Sequence, residues 1–297
     1  MKSGVIIINK ETGISSQAAV NRVKRLLGES KAGHTGTLDP LATGVLPVLL
    51  GRGVKASEYM LSSDKHYIAT LRLGITTDTE DITGTVLTES DAIPSEEAVK
   101  RAAYELLGES MQTPPMFSAL KVGGKKLYDL ARAGVTVERE PRKITVKYIE
   151  AQKIDEKNYR LEVKCSKGTY IRTLCNDIGK KLGCGAVMAT LERASASTFS
   201  LEDSITLTAL EQLSPEQRDE RIIPIDKIFE RDPQITLSDF YSRLARCGVE
   251  IYLSKIKIDL ELGKRVRLYD KKGFFALGEV REFDTGLAIK PIKQFDV

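Results

Sequence analysis

Residues 33–46 constrain this chain more than any other stretch: Gly-His-Thr-Gly-Thr-Leu-Asp-Pro-Leu-Ala-Thr-Gly-Val-Leu. Asp39 is the only acid within it. Pro40 pushes Asp39 out of helical geometry and toward an extended backbone. Gly33, Gly36 and Gly44 allow tight turns or close approach to another backbone. Residues 45–50 then read as a buried strand interrupted by Pro47. The acid is expected on a loop beside a strand, not solvated on a helix face. A lone Asp-Pro is usually a turn. An Asp set among three glycines and a histidine is a candidate reactive group.

The 297 residues suffice for one large domain, or for a large and a small one. A 41% hydrophobic share can fill a substantial core. No apolar run approaches the roughly 20 residues of a membrane span. Val5-Ile6-Ile7-Ile8 after Gly4 is too short an apolar run for a signal peptide and reads as a strand. Cys165, Cys175, Cys184 and Cys247 show no C-x-x-C spacing, which favours free thiols in a reducing cytoplasm. The two histidines lie far from them in sequence, so no metal site is expected. Net charge is only +4, but residues 121–181 hold 16 Lys or Arg against 8 Asp or Glu. Such a basic segment suits a polyanion-binding face; unrelated solvated faces would give the same count.

Ser15 or Ser16 can cap a helix with Val20, Val23 and Leu27 on one stripe, stopped by Gly28. Residues 54–61 suggest a short helix. In 66–73, Tyr67, Ala69, Leu71 and Leu73 alternate onto one face, so Tyr67 points inward at the start of a strand. Residues 74–84 form an acidic, threonine-rich loop whose short polar side chains bond the backbone. Lys121, Lys125 and Lys126 frame a Gly123-Gly124 turn. Residues 142–154 and 159–165 read as an antiparallel pair. Residues 169–182 read as a helix burying Ile171, Leu174, Ile178 and Leu182. Arg172, off that stripe and in the first turn, is electrostatically misplaced. From the helix alone it reads as a surface arginine paired with Asp177 or water; a carboxylate brought close by the fold would also resolve it, and Asp39 is the candidate. Residues 204–232 read as a charged helical link. Beyond 235, glycine-punctuated strands indicate a small β-rich domain.

Several motifs together resemble one family. Residues 33–46 are similar to the central motif of the TruB family of tRNA pseudouridine synthases. Lys65-His66-Tyr67-Ile68-Ala69 resembles its tyrosine motif. Cys165-Ser166-Lys167-Gly168-Thr169-Tyr170-Ile171-Arg172-Thr173-Leu174 resembles its arginine motif, and Pro114-Pro115-Met116-Phe117-Ser118-Ala119-Leu120-Lys121 another segment. The likeness runs from about Gly4 to Phe199, in family order. Three departures stand out: Lys10-Glu11-Thr12-Gly13 for Lys-Pro-x-Gly, Leu191-Glu192-Arg193 for Leu-Arg-Arg, and Ser197 where a glycine is usual.

The resemblance implies an α+β pseudouridine synthase fold, with a mixed, mostly antiparallel central sheet flanked by helices. A small C-terminal β-rich domain similar to the PUA module would follow, dividing the chain into 1–232 and 233–297. It implies isomerisation of uridine 55 in the tRNA T-loop, by base flipping and without a cofactor. Asp39 would be the nucleophile, Arg172 the ion pair orienting it, and Tyr67 the ring that stacks on uracil and can move a proton. His34, Tyr170 and Leu191 would contact substrate. Lys10, Lys65, Lys121, Lys125, Lys126, Arg142 and Lys167 are candidates for RNA phosphates. The expected protein is a cytoplasmic monomer that binds the T-arm of tRNA, with no membrane and no obligate protein partner. Two other classes are weighed beside it: a non-catalytic RNA-binding protein, and a glycoside or nucleoside hydrolase needing Asp78 or Asp81 as a second carboxylate.

Overall fold

The computed structural model describes residues 2–295. Its centre is a ten-stranded mixed sheet, mostly antiparallel. The Gly4–Lys10 strand pairs antiparallel with Thr43–Leu50, which lies parallel to Ala186–Ala196. From there Lys65–Leu73, Asn158–Cys165, Arg142–Lys153 and Gly108–Gln112 follow in spatial order, all antiparallel. The period of two along strands sorts the core into two faces. Ile6, Ile8, Leu46, Val48 and Leu50 pack on one side, under the helices Ser16–Leu27, Glu96–Tyr104 and Ile171–Leu182. Val5, Ile7, Val45 and Leu49 face the other side.

Pro47 does not interrupt its strand: Thr43–Leu50 runs through it, with Pro47 opposite Ile7. The ring nitrogen falls in a gap between two neighbours. Ala186–Ala196 pairs only at Thr43 and Gly44, and Ala32–His34 only from Val48 onward. No ladder donor is needed there, and the Pro47 carbonyl accepts from Thr35 N at 3.2 Å. Ser15, not Ser16, caps the first long helix, accepting from Ala18 N. The arginine helix begins two residues later than its hydrophobic pattern suggests, because Tyr170 stays extended as its N-cap.

Two glycines let backbones approach. Gly44 has φ 102°, and a Cβ there would lie 2.3 Å from the Arg193 carbonyl oxygen. Gly179 brings the Ile171–Leu182 helix against the next strand; a Cβ would meet Ala186 N at 2.1 Å. These contacts set Arg193 beside the Asp39 loop and fix the depth of the helix that carries Arg172.

A second, five-stranded sheet forms the C-terminal part. It is built from Gln234–Thr236, Ile251–Tyr252, Arg265–Asp270, Gly273–Phe283 and Gly286–Gln294, with the Asp239–Arg246 helix against it. Leu277 of this sheet and Phe295, just past its last strand, join the second core face of the main body. Phe229 sits between Tyr59 (centroids 5.4 Å) and Phe295 (5.8 Å).

Ser197 takes φ 61° in the turn between Ala186–Ala196 and Phe199–Ser200. That left-handed conformation suits glycine, which is why a glycine fits there. Ser197→Gly is expected to raise unfolding free energy by about 0.5–1 kcal/mol, and Gly44→Ala to lower it by roughly 3 kcal/mol or more. Urea unfolding of both variants checks the two signs.

Candidate active site

The Asp39 loop is clamped from behind. Ser16, freed from capping, donates Oγ to the Leu38 carbonyl (2.9 Å) and accepts from Leu38 N (2.8 Å). Gly13 N donates to the Pro40 carbonyl at 2.8 Å. Lys10 is wholly buried, and its Nζ donates to the carbonyls of Glu11, Ile14 and, at 3.4 Å, Pro40. Burial lowers its pKa to about 8, with Asp39 acting in the opposite direction. With backbone and neighbours fixed, the Asp39 carboxylate can point only forward, into the cleft.

There it meets Arg172. The guanidinium engages Asp39 through both oxygens, Nε to Oδ2 at 3.0 Å and Nη2 to Oδ1 at 3.2 Å. Its other donors go to the carbonyls of Phe117 (2.9 Å) and Thr79 (3.1 Å), and Asp81 Oδ2 lies 3.6 Å from Nη1. Arg172 is therefore not a surface residue, and Asp177 is not its partner; Asp177 faces Lys180. A bidentate, charge-assisted fork of this kind fixes a carboxylate in angle as well as position. Burial raises the Asp39 pKa above the ordinary aspartate value, and the Arg172 charge opposes the rise. One third of the Asp39 side chain stays open toward the cleft.

A cavity of about 320 Å³ opens in front of Asp39, at the small end of ligand pockets, which run from about 300 to 1,000 Å³. Tyr67, Tyr170, Arg172 and Leu191 line it with Asp39. Tyr67 comes from the strand whose alternation turns it inward, and burial raises its pKa, so its hydroxyl is protonated at neutral pH. His34 is not in this cavity. It lines an adjoining groove of about 950 Å³ that shares Asp39 and Arg172. Burial and the nearby Arg193 charge lower its pKa, leaving the ring neutral near pH 7.

The basic candidates divide. Lys121, Lys125, Lys126, Arg142 and Lys167 are exposed. Lys126 and Arg132 stack on the Tyr128 ring at 5.1 and 5.5 Å, and all three border the groove. Lys10 and Lys65 differ from these: both are buried, Lys10 wholly and Lys65 at the wall of the cavity. The Lys65 Nζ is spent on the carbonyls of Leu61 and Ser63, and burial lowers its pKa to about 8. Both hold loops, and Lys10, wholly buried and away from the cavity wall, is not placed to meet a phosphate.

Sequence reasoning does not place three contributors here, although it weighs Asp81 as a hydrolase carboxylate. Asp81 belongs to the 74–84 loop, whose polar side chains do bond backbone, yet it also faces Arg172. Arg193 is 1% exposed and donates to the carbonyls of Val45 (2.7 Å) and Gly36 (3.2 Å) beside Tyr67. Gln112, on the edge strand, pins Tyr170 by accepting from its N–H and donating to its carbonyl. An Asp, an Arg and a Gln in ordinary surroundings give no linear signal of such contacts.

The chain is similar to known proteins over nearly all of its length. The TruB family pseudouridylate synthase N-terminal domain matches residues 24–171, and the tRNA pseudouridylate synthase B C-terminal domain matches 172–230. The chain is 41% identical to tRNA pseudouridine synthase B of Methylobacillus flagellatus over 93% of its length and 90% of the relative's. Against the enzyme of the same name from Burkholderia mallei it is 44% identical, covering 90% and 89%. Among solved structures, a Cbf5-Nop10-Gar1 complex superposes with TM-score 0.70 at 28% identity, covering 99% of this chain and 85% of the other. An H/ACA RNP bound to a substrate RNA containing 2′-deoxyuridine gives 0.72 at 26%, with the same coverage. The chain belongs to the TruB family of tRNA pseudouridine synthases, isomerases that convert uridine to pseudouridine in tRNA.

Proposed function

We propose that the chain acts on uridine 55 of the tRNA T-loop, takes that nucleotide out of its stack, and uses Asp39 as nucleophile without a cofactor. The observation that carries this is the two-pronged Arg172–Asp39 pair at the edge of a cavity lined by Tyr67, Tyr170 and Leu191. Isomerisation breaks N1–C1′ and forms C5–C1′, and the proton lost from C5 is balanced by one gained at N1. Nothing enters or leaves overall, so no redox or phosphate group is required. The chemistry needs one ionised oxygen near the sugar or the base, as carboxylates provide at anomeric carbons. Arg172 keeps Asp39 ionised against the pull of burial. Tyr67 stacks on the detached base and can move the proton, while Leu191 and Tyr170 close the pocket. A nucleotide inside a folded loop cannot reach so recessed a carboxylate until it is flipped, and His34 at the adjoining groove can fill the place it leaves.

The exposed Lys121, Lys125, Lys126, Arg142 and Lys167 would take phosphates along the groove. Residues 1–232 form the catalytic part and 233–297 a PUA-like RNA-binding part. The protein works as a cytoplasmic monomer; among the described residues no helix is long and apolar enough to cross a membrane. The hydrolase reading is disfavoured by its second carboxylate. Asp81 turns one oxygen toward Arg172, while the other accepts from Thr79 Oγ1, Thr83 N and Thr83 Oγ1. Asp78 is exposed and accepts from Thr85 N.

Incubation of unmodified tRNA transcript, followed by pseudouridine mapping, tests the substrate: a new pseudouridine at 55 is expected, with no free uracil. Asp39→Asn is expected to lower turnover by at least about 10⁴-fold while Kd for tRNA changes less than about threefold. Wild-type turnover in that variant would remove Asp39 as nucleophile. The ionised carboxylate is the active form, so kcat falls as pH drops through a pKa raised above the usual ~3.9. Arg172→Gln removes the opposing charge and is expected to move that acid limb to still higher pH. Lys126→Ala is expected to weaken tRNA binding and to reduce the slope of log Kd against log salt by about 1, read by filter binding at several salt concentrations.

A further inference from the structure

Neighbouring residues of the 77–84 loop face opposite ways. Thr79 offers its carbonyl to Arg172 Nη1, and Asp81 turns its carboxylate toward the same nitrogen. Glu80, between them, faces the helix. Its Oε2 accepts from Thr173 Oγ1 at 2.7 Å and its Oε1 from Asn176 Nδ2 at 2.9 Å. Thr173 and Asn176 belong to the helix that carries Arg172. The Glu80 carbonyl accepts from Met188 N at 3.1 Å, on the strand that carries Leu191 and Arg193. A single residue thus joins loop, helix and strand.

The backbone at Glu80 is left-handed, φ 63°. Glycine or asparagine would be the easier residue there. A glutamate persists in such a conformation where its surroundings over-determine it, and two side-chain hydrogen bonds to one helix do so. Because Thr79 and Asp81 flank it, fixing Glu80 also fixes the direction of the carbonyl and the carboxylate that meet the guanidinium.

We propose that Glu80 is a positioning residue for the isomerisation: it docks the 77–84 loop onto the arginine helix and so sets the angle at which Arg172 presents Asp39. The inference rests on reading Asp39 as the nucleophile. Glu80 lines neither the cavity nor the groove and does not touch Asp39, so its side chain acts through the helix that carries Arg172. A small misplacement of a held group costs rate more than affinity, because binding surfaces elsewhere are intact.

Glu80→Gly removes both side-chain bonds while easing the backbone, so the variant is expected to fold with a melting temperature within a few degrees of the parent. On unmodified tRNA transcript its kcat is expected to fall roughly 10- to 100-fold, with KM within twofold. The acid limb of kcat is expected to move to higher pH, since a loosened Arg172 opposes the burial of Asp39 less well. Glu80→Gln can rebuild both bonds, accepting from Thr173 and donating to the Asn176 amide oxygen once that amide turns over. It is expected to stay within about threefold of the parent. Thr173→Val, which cuts the same link from the helix side, is expected to reproduce part of the loss. Wild-type kcat in Glu80→Gly, equal impairment in Glu80→Gln, or a change confined to KM would each overturn the proposal. Asp39→Asn measured in parallel separates the failures. An inert Asp39→Asn beside a fully active Glu80→Gly sinks this inference alone; an active Asp39→Asn sinks the nucleophile reading and this one with it.

Discussion

A guanidinium shut away from water must have its donors met, and the arrangement around Arg172 follows from that demand. Its partners come from three separate parts of the chain, Asp39 after the first long helix, the Thr79–Asp81 loop and Phe117, while its own helix sets the depth. Taking one partner from a buried ion pair leaves an uncompensated charge that costs about 3–5 kcal/mol. Loss of any one of these contacts is therefore felt by every segment that meets at Arg172. Burial draws Asp39 toward its neutral form and Arg172 draws it back, so its ionisation depends on the geometry of the pair.

Around that pair lies a second tier of buried cations that spend their charge on carbonyls. Lys10 holds the Asp39 loop from below, Lys65 holds the turn before the tyrosine strand, and Arg193 bridges Val45 and Gly36 next to Tyr67. Lys10, Lys65, Arg172 and Arg193 are all buried, and the carboxylates that face the cleft or its arginine are buried Asp81 and half-buried Asp39. Fixed cations of this kind suit a polyanionic substrate and an electron-rich base leaving its sugar.

Much of this was legible in the chain. The alternation from Tyr67 to Leu73 fixed which face the tyrosine occupies, and the Asp39-Pro40 pair pointed to the turn that Asp39 opens, its carbonyl accepting from Ala42 N. The misplaced positive charge in the first turn of the arginine helix asked for a carboxylate, and Asp39 answers it. Pro47 misled because a proline tells nothing of whether a neighbouring strand happens to be missing on its side. Lys10 misled for a related reason: lysines look alike in sequence whether they snorkel to solvent or end on buried carbonyls. Asp81, Arg193 and Gln112 depend on contacts across more than fifty residues of chain, which no local pattern encodes.

The aromatic seam between the two sheets has a bearing on how the molecule behaves as a polymer. Phe229, Tyr59 and the outward face of Val5, Ile7, Val45 and Leu49 share one apolar layer with Leu277 and Phe295. Melting of the C-terminal sheet would lay that layer bare, so the two parts should lose structure in a single cooperative transition. A shortened chain ending at the link would carry a greasy flank, prone to clump with its own copies before any question of RNA affinity arises.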